Sequence, residues 1–288
     1  MLPIILNVVV QGLLTGMVYG LMALGLSVIF GIVRVVNFAH GEFAVIAMYG
    51  AFLLFRDFGL DPVAAVLPVA IVFFGVGYLL QSVVINRFVG RAEHEQFILL
   101  VGLGMVIVSG LLLIFGPDAR PTNLAYAFDS YEIGPLLIDK ARLLAAAAAL
   151  LVAGVLFVFF RATRTGTAIR ACADNLIGAA VVGLDVRRLY ALTFGIGLAC
   201  VGAAGALMVT IADARPALAQ AFTLQAFVIV IVGGLGSMSG ALVGGVLIGL
   251  AEALAGFFFE PSMKSMFSFA LLILVLVLRP QGLMGRRA

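Results

Sequence analysis

Long apolar runs follow one another along this chain with few interruptions. A membrane-spanning helix takes about 20 mostly apolar residues, and runs of that kind cover 5–30, 63–85, 97–116, 143–160, 189–211 and 264–279. Two further apolar regions are interrupted. In the first, polar residues at 34–42 separate the opening run from a short apolar helix at 42–55. In the second, 222–256, the interruption is "GGLGSMSG" at 233–240. The pattern predicts an all-α, polytopic membrane helix bundle of about eight to nine passes, with broken half-helices, built as one transmembrane domain over residues 1–288.

Composition points the same way. The chain is 64% hydrophobic and 11% charged, where ordinary soluble chains carry about a quarter charged residues. The net charge of +3 comes with no basic tract, which excludes nucleic acid as a partner. "MLPIILNVVV" has no basic n-region and no small-residue cleavage site, so it reads as the start of a membrane helix and not as a signal peptide. Cys172 and Cys200 stand far apart without a motif and suit packing positions.

Arginine sets the orientation. Segments 86–96, 161–188 and 279–288 hold Arg87, Arg91, Arg161, Arg164, Arg170, Arg187, Arg188, Arg279, Arg286 and Arg287. Segments 56–62, 117–142, 212–221 and 257–264 hold only Arg56, Arg120, Lys140, Arg142, Arg215 and Lys264. The positive-inside rule places the first set, and with it the C-terminus, in the cytoplasm.

"GIVRVVNFAHGEF" puts Arg34, Asn37, His40, Gly41 and Glu42 at one break. A helix over 42–55 would span about 21 Å, short of the roughly 30 Å of hydrocarbon. If it reaches the external loop at 56–62, its N-terminus begins inside the membrane or near its inner edge; the alternative is a cytoplasmic turn at 34–41 with a capped helix start, in which Arg34 marks the inner interface. Irregular backbone at membrane depth must be buried in protein or line a wet cavity, and transporters build substrate sites at such breaks. Glu42 suits the first helical turn, while Asn37 and His40 can satisfy freed backbone groups. Gly233, Gly234, Gly236, Ser237 and Ser239 form the second break, where bare backbone and hydroxyls can line a path or make a plain helix–helix turn. Stripes at Gly12, Gly16 and Gly20, at Gly236, Gly240 and Gly244, and at Gly245 and Gly249 suit close helix packing. Glu252 is an ionisable group within a membrane helix, either lining the pathway or lying near the outer end in water.

No stretch reads G-x-x-x-x-G-K-[ST], so the chain has no P-loop for nucleotide. His40 and His94 lie far apart, no metal set is present, and "GSMSG" has Met238 where a nucleophile elbow needs serine. No catalytic pair, cofactor or metal is expected. Segment 161–188 carries five arginines, and its middle predicts a helix from about Ala168 to Val182 that ends at Gly183. Such a helix would present Ile169, Cys172, Leu176 and Ala180 on one face, with Asp174 and Asp185 on polar rims and Arg170 among the residues expected to couple to a partner. An apolar cytoplasmic face suits a partner groove; an interfacial helix lying on lipid is the alternative.

"GLSVIFGIVRVVNFAHGEF" strongly resembles the signature start of LivH-type permeases, the membrane subunits of ABC importers for branched-chain amino acids. "AIRACADNLIGAAVVGLDVRRLYALTFGIGLACVGAAGAL" resembles their ATPase-contacting loop and the helix after it. "VIVIVGGLGSMSGALVGGVLIGLAEAL" and "LVLRPQGLMG" match as well. The resemblance implies a multi-pass subunit of the bacterial cytoplasmic (inner) membrane. It implies a second related permease, two cytoplasmic ABC ATPases and an extracytoplasmic substrate-binding protein as partners, with ATP hydrolysed on the partner chains. Ala171-Cys172-Ala173 stands where the wider importer pattern has Glu-Ala-Ala, a departure that bears on docking register. The family also contains permeases for urea, short amides and other amino acids. A self-sufficient secondary transporter or channel is the competing class, distinguished by uptake that needs no partner ATPase.

Overall fold

The computed structural model describes residues 1–91 and 93–285; Arg286 and Arg287 of the cytoplasmic set lie outside these. Helix α1 (Leu2–Val33) leads to α2 (His40–Phe58) and α3 (Pro62–Leu79), which continues in tighter and wider turns to Arg87. There follow α4 (Glu93–Phe115), a hairpin of β1 (Ser130–Ile133) and β2 (Leu136–Asp139), α5 (Lys140–Ala162), and the short α6 (Arg164–Asp174) and α7 (Leu176–Val181). The chain closes with α8 (Val186–Met208), α9 (Leu218–Gly233), α10 (Met238–Phe258) and α11 (Lys264–Leu278). Six of these are long and apolar enough to cross a membrane: α1, α3 with its tail, α4, α5, α8 and α10. The apolar α9 and α11 are shorter, and α2 has 19 residues with a polar start.

The helix starts follow the sequence locally. Asp61, Asp139, Thr163, Asn175, Asp185 and Ser237 each accept a backbone N–H in the first turn of the helix they precede, satisfying donors that have no intrahelical partner. Two helices form the centre. The most apolar windows of α1 and α8 are 72% and 83% buried, against 17% for α4, which lies at the periphery.

The α1–α10 seam is made of glycine. Gly12, Gly16 and Gly20 face Gly245, Gly249 and their neighbours, and a Cβ on Gly16 would stand 2.7 Å from the Gly245 carbonyl oxygen. Close backbone approach is how helices gain contact area in lipid, where the apolar medium offers no drive to associate.

At the end opposite the α6–α7 segment, the β-hairpin and the 116–129 loop cover the bundle. Tyr126 donates to Asp61 at 2.6 Å, and Arg120 pairs with the backbone of Ala214. Burial and the Asp61 carboxylate raise the Tyr126 phenol above its ordinary value, so it remains a donor.

Two expected lengths are corrected. The second helix starts two residues earlier and ends three later than 42–55, and its 19 residues span about 28 Å. The first-turn amide of Gly41 finds a partner outside the helix, and Gly59 closes the other end at φ 65°. The expected helix over 168–182 is broken at Asn175, whose side chain accepts from Gly178 N–H at 2.8 Å and starts a new helix.

The α1–α10 seam predicts the effect of a single methyl-bearing branch. Gly249→Val places its Cβ on the backbone of Gly12 and Gly16, an overpacking cost of about 2 kcal/mol or more. The expected outcome is a lower melting temperature and less monodisperse protein on size-exclusion chromatography, whereas Gly110→Val, in open space, leaves both unchanged.

Candidate functional site

The first break is a buried polar knot. Arg34 ends α1 in the left-handed conformation (φ 57°) and is exposed, marking the chain's exit from the helix. Residues 35–39 then run back beside the bundle. His40 Nε2 donates to the carbonyl of Met22 at 2.9 Å, and Met22 lies about 16 Å along α1 from its last residue. Six residues reach at most about 20 Å, enough for this return. Helix α2 therefore begins alongside the interior of α1 and not at its end.

Each member of the knot has a definite task. Asn37 Oδ1 accepts from Ala39 N–H at 3.1 Å. Gly41 N–H donates to Thr223 Oγ1 at 2.8 Å, and Thr223 Oγ1 donates to Glu42 Oε2 at 2.7 Å. A side chain at Gly41 would strike the backbone of α9, so this position is closed to anything larger than glycine. Asn37 and His40 are fully buried and Glu42 is 8% exposed. Asn37 Nδ2 and His40 Nδ1 have no partner, an unmatched donor and acceptor in one buried place. Below the knot, one turn along α9, Phe38 meets Phe97 and Phe227 with ring centroids 4.6 and 5.0 Å apart.

The second break lies elsewhere. Gly234 and Gly236 take φ values of 108° and 76°, and Ser237 caps α10 through Gly240 N–H at 3.1 Å. Ser237 Oγ and Ser239 Oγ are 3.5 Å apart. Gly236 packs on Gly31 near the end of α1, while Gly233 is pressed on Gly240 in the α9–α10 turn. The closing segment straps this turn: Leu283 and Met284 N–H donate to the carbonyls of Val232 and Gly233, both at 2.9 Å. About 15 Å of α9 separates Thr223 from Gly233, so the structure does not bring the two breaks together. Gly236, Ser237 and Ser239 instead line a cavity of about 400 Å³ shared with Arg170 and Asp174 of α6.

The one-face arrangement expected for Ile169, Cys172, Leu176 and Ala180 is not formed, because the break at Asn175 divides them between two helices. Ile169 and Cys172 turn inward at 0% and 3% exposure, and burial raises the Cys172 thiol. Leu176 and Ala180 are exposed on α7. The exposed apolar surface of this segment is Ile177, Val181 and Val182 together with Leu176. Gly183 ends the segment at φ 83°, and Asp185 caps α8 through Arg188 N–H at 3.1 Å.

Thr223 was not singled out from sequence, since a threonine in an apolar run carries no signal until the partner helix is known. On one continuous helix Ile177, Val181 and Val182 fall off the apolar face, and only the break at Asn175 groups them as an exposed surface. The turn signal was Asn175, a strong N-cap residue.

The comparisons with known proteins cover nearly the whole chain. Residues 8–276 match the family described as "Branched-chain amino acid transport system / permease component". The chain is 32% identical over 294 residues to the high-affinity branched-chain amino acid transport system permease protein BraD of Pseudomonas aeruginosa, covering 98% of this chain and 96% of that one. It is 32% identical over 291 residues to LivH of Escherichia coli K12, with 96% and 94% covered. Likeness extends to the permease protein LivM of the same organism, 28% over 301 residues, covering 93% of this chain and 68% of LivM. No solved structure matches.

The polar knot makes a prediction of its own. Thr223→Val removes the hydroxyl that serves Gly41 and Glu42 together, and leaving buried polar groups unmatched costs about 1–3 kcal/mol. Thermal unfolding of the purified protein in detergent should shift down by several degrees, while Thr223→Ser, which keeps the hydroxyl, stays within a degree or two of wild type. Equal melting temperatures for Thr223→Val and wild type would remove the knot from the account.

Proposed function

This chain belongs to the permease-component family of branched-chain amino acid transport systems, and we propose that it is the membrane-spanning subunit of an ATP-driven importer for such amino acids. The observation that carries the reading is the likeness to named permeases along nearly the full chain, about a third of positions identical. The chain has no P-loop of its own, so ATP hydrolysis falls to two cytoplasmic ATPases. The likeness to LivM supports a second, related permease as the direct partner. An extracytoplasmic binding protein delivers the substrate, as the importer class requires.

In this reading the bundle sits in the bacterial cytoplasmic membrane with α6, α7, the second break and the C-terminal segment inside the cell. The β-hairpin and the α2–α3 loop then face outward. Support comes from the arginines, which gather at the α6–α7 end. The long exposed apolar faces of α3, α4 and α5 suit lipid and the partner permease.

The first break lies along the substrate path. Its support is the burial of Asn37, His40 and Glu42 together with the unmatched Asn37 amide and His40 ring nitrogen, groups that a passing polar solute or a water can satisfy. Coupling runs through α6 and α7. Helix α6 rests on α1, α5 and α8 and shares a cavity with the second break, while Leu176, Ile177, Val181 and Val182 offer the ATPase an apolar surface.

Reconstitution in liposomes tests both statements. Leucine uptake is expected only when both permeases, the ATPases, the binding protein and ATP are present. Ile177→Asp, which places a charge on an exposed position and spares the fold, should reduce ATPase co-purification and uptake by roughly tenfold or more, the size of effect a buried unpaired charge has at an interface. Uptake by this chain alone on an ion gradient would overturn the importer reading. Wild-type co-purification of the Ile177→Asp chain would place α7 on lipid.

A further inference from the structure

At the end of the bundle where α8 and α10 finish and α5, α9 and α11 begin, two cavities of about 450 and 810 Å³ adjoin. Both fall in the usual range of small-molecule sites. They share Tyr19, Met208, Ile211, Ala212, Glu252 and Lys264 as walls. Glu252 thus stands at the junction, and neither break includes it.

Its carboxylate is held and oriented by neighbouring side chains. Gln225 Nε2 and Ser268 Oγ both donate to Oε1 at 3.0 Å. The Tyr19 hydroxyl is a further hydrogen-bond partner of this carboxylate, and since an ionised carboxylate accepts about four hydrogen bonds, three donors leave capacity for one more. Among the described residues no cation forms an ion pair with Glu252. Three cations nevertheless reach the same cavities: Lys264 in both, Arg142, which is hydrogen-bonded to Gln11 and paired with Asp139, in the smaller, and Arg215, beside the acidic Asp213, in the larger. Helices α9 and α11 also begin there without a side-chain cap, so their positive ends add to the cationic side. The rest of the larger cavity's wall includes the apolar Ile211, Leu218, Phe222 and Val228.

Carboxylates, cations and an apolar wall thus line the same adjoining cavities, a set that can receive both charged ends of a zwitterion and its aliphatic side chain. We propose that this vestibule is a binding subsite for a zwitterionic aliphatic amino acid. The substrate ammonium is received by Glu252, oriented by Gln225 and Ser268. The substrate carboxylate is received by Lys264 at the head of α11. The side chain lies against Leu218, Phe222 and Val228. The proposal rests on the importer reading above and adds to it a place where the permease itself holds substrate on the outward side.

The vestibule is separate from the polar knot. Thr223 faces α2, whereas Gln225, two residues on, faces the vestibule, and positions two apart on a helix point in nearly opposite directions. Helix α9 therefore carries the vestibule on one face and the knot on the other.

The test uses the permease pair in nanodiscs without its binding protein, with radiolabelled L-leucine read by scintillation proximity. Wild type is expected to bind leucine. An excess of leucinol, which lacks the carboxylate, or of 4-methylpentanoate, which lacks the amine, should displace little of it. Glu252→Gln and Lys264→Met should each weaken binding by roughly tenfold or more. Lys264 is exposed, so its replacement does not threaten folding, and size-exclusion chromatography checks Glu252→Gln. No leucine binding by wild type, unchanged binding in both variants, or equal competition by either analogue overturns the subsite. Uptake by the complete importer is measured in parallel. Full uptake by both variants sinks the subsite and leaves the importer reading standing, whereas a wild-type importer that carries no leucine sinks the reading on which the subsite rests.

Discussion

A backbone amide buried in a membrane protein has no water to turn to, so a helix that starts inside the bundle needs a partner for its first turn. Here that partner is one hydroxyl. Thr223 Oγ1 takes the N–H of Gly41 and gives its own proton to Glu42. Glycine at 41 lets α2 approach α9 closely enough for the bond. Glu42 then sits in the first turn, where the helix dipole favours a carboxylate. Without this arrangement the return of the chain from Arg34 to Met22 would end in unpaired donors, and the start of α2 would have to move out toward water.

The bundle around that point has a simple division of labour. Helices α1 and α8 form the buried centre, and the glycine seam locks α10 onto α1. Helix α9 joins the pieces that carry polar chemistry. Its start lines the vestibule, its second turn holds the knot, and its end forms the second break under the closing segment 282–285. These three features therefore share one rigid helical element. At the foot of α9, Arg170 and Asp174 of α6 line the same cavity as the second break.

Much of this was legible in the chain. The apolar runs placed most of the long helices in order, since hydropathy over about 20 residues is a strong constraint, but 264–279 holds the shorter α11, while α10, expected as a partial helix, is long enough to cross. The polar residues at 37–42 marked a buried break, and the glycine stripes on α1 and α10 marked a seam. The legible features share one property: each is carried by residues adjacent in sequence or on one helix. What could not be read depends on pairs. Thr223 becomes informative only beside Gly41, and Leu283 only against Val232; Glu252 stands out in the sequence as an ionisable group in a membrane helix, but its partners Gln225 and Ser268 do not. The helix at 168–182 was misjudged for a different reason. Its apolar periodicity continues through Asn175, and the local capping bond there outweighed the pattern.

The central claim is that the segment around residues 37–43 is a closed, hydrogen-bonded knot and not a hydrated turn. Hydrogen–deuterium exchange of the assembled complex in nanodiscs, resolved to the peptide covering 37–44, addresses it most directly. The amides of Ala39, Gly41 and Phe43 each have a partner within 3.1 Å. The account predicts exchange as slow as in the core of α8, with faster exchange at Gly41 once Thr223 is replaced by alanine. Exchange of this peptide as fast as that of the exposed 116–123 loop, in wild type, would contradict it.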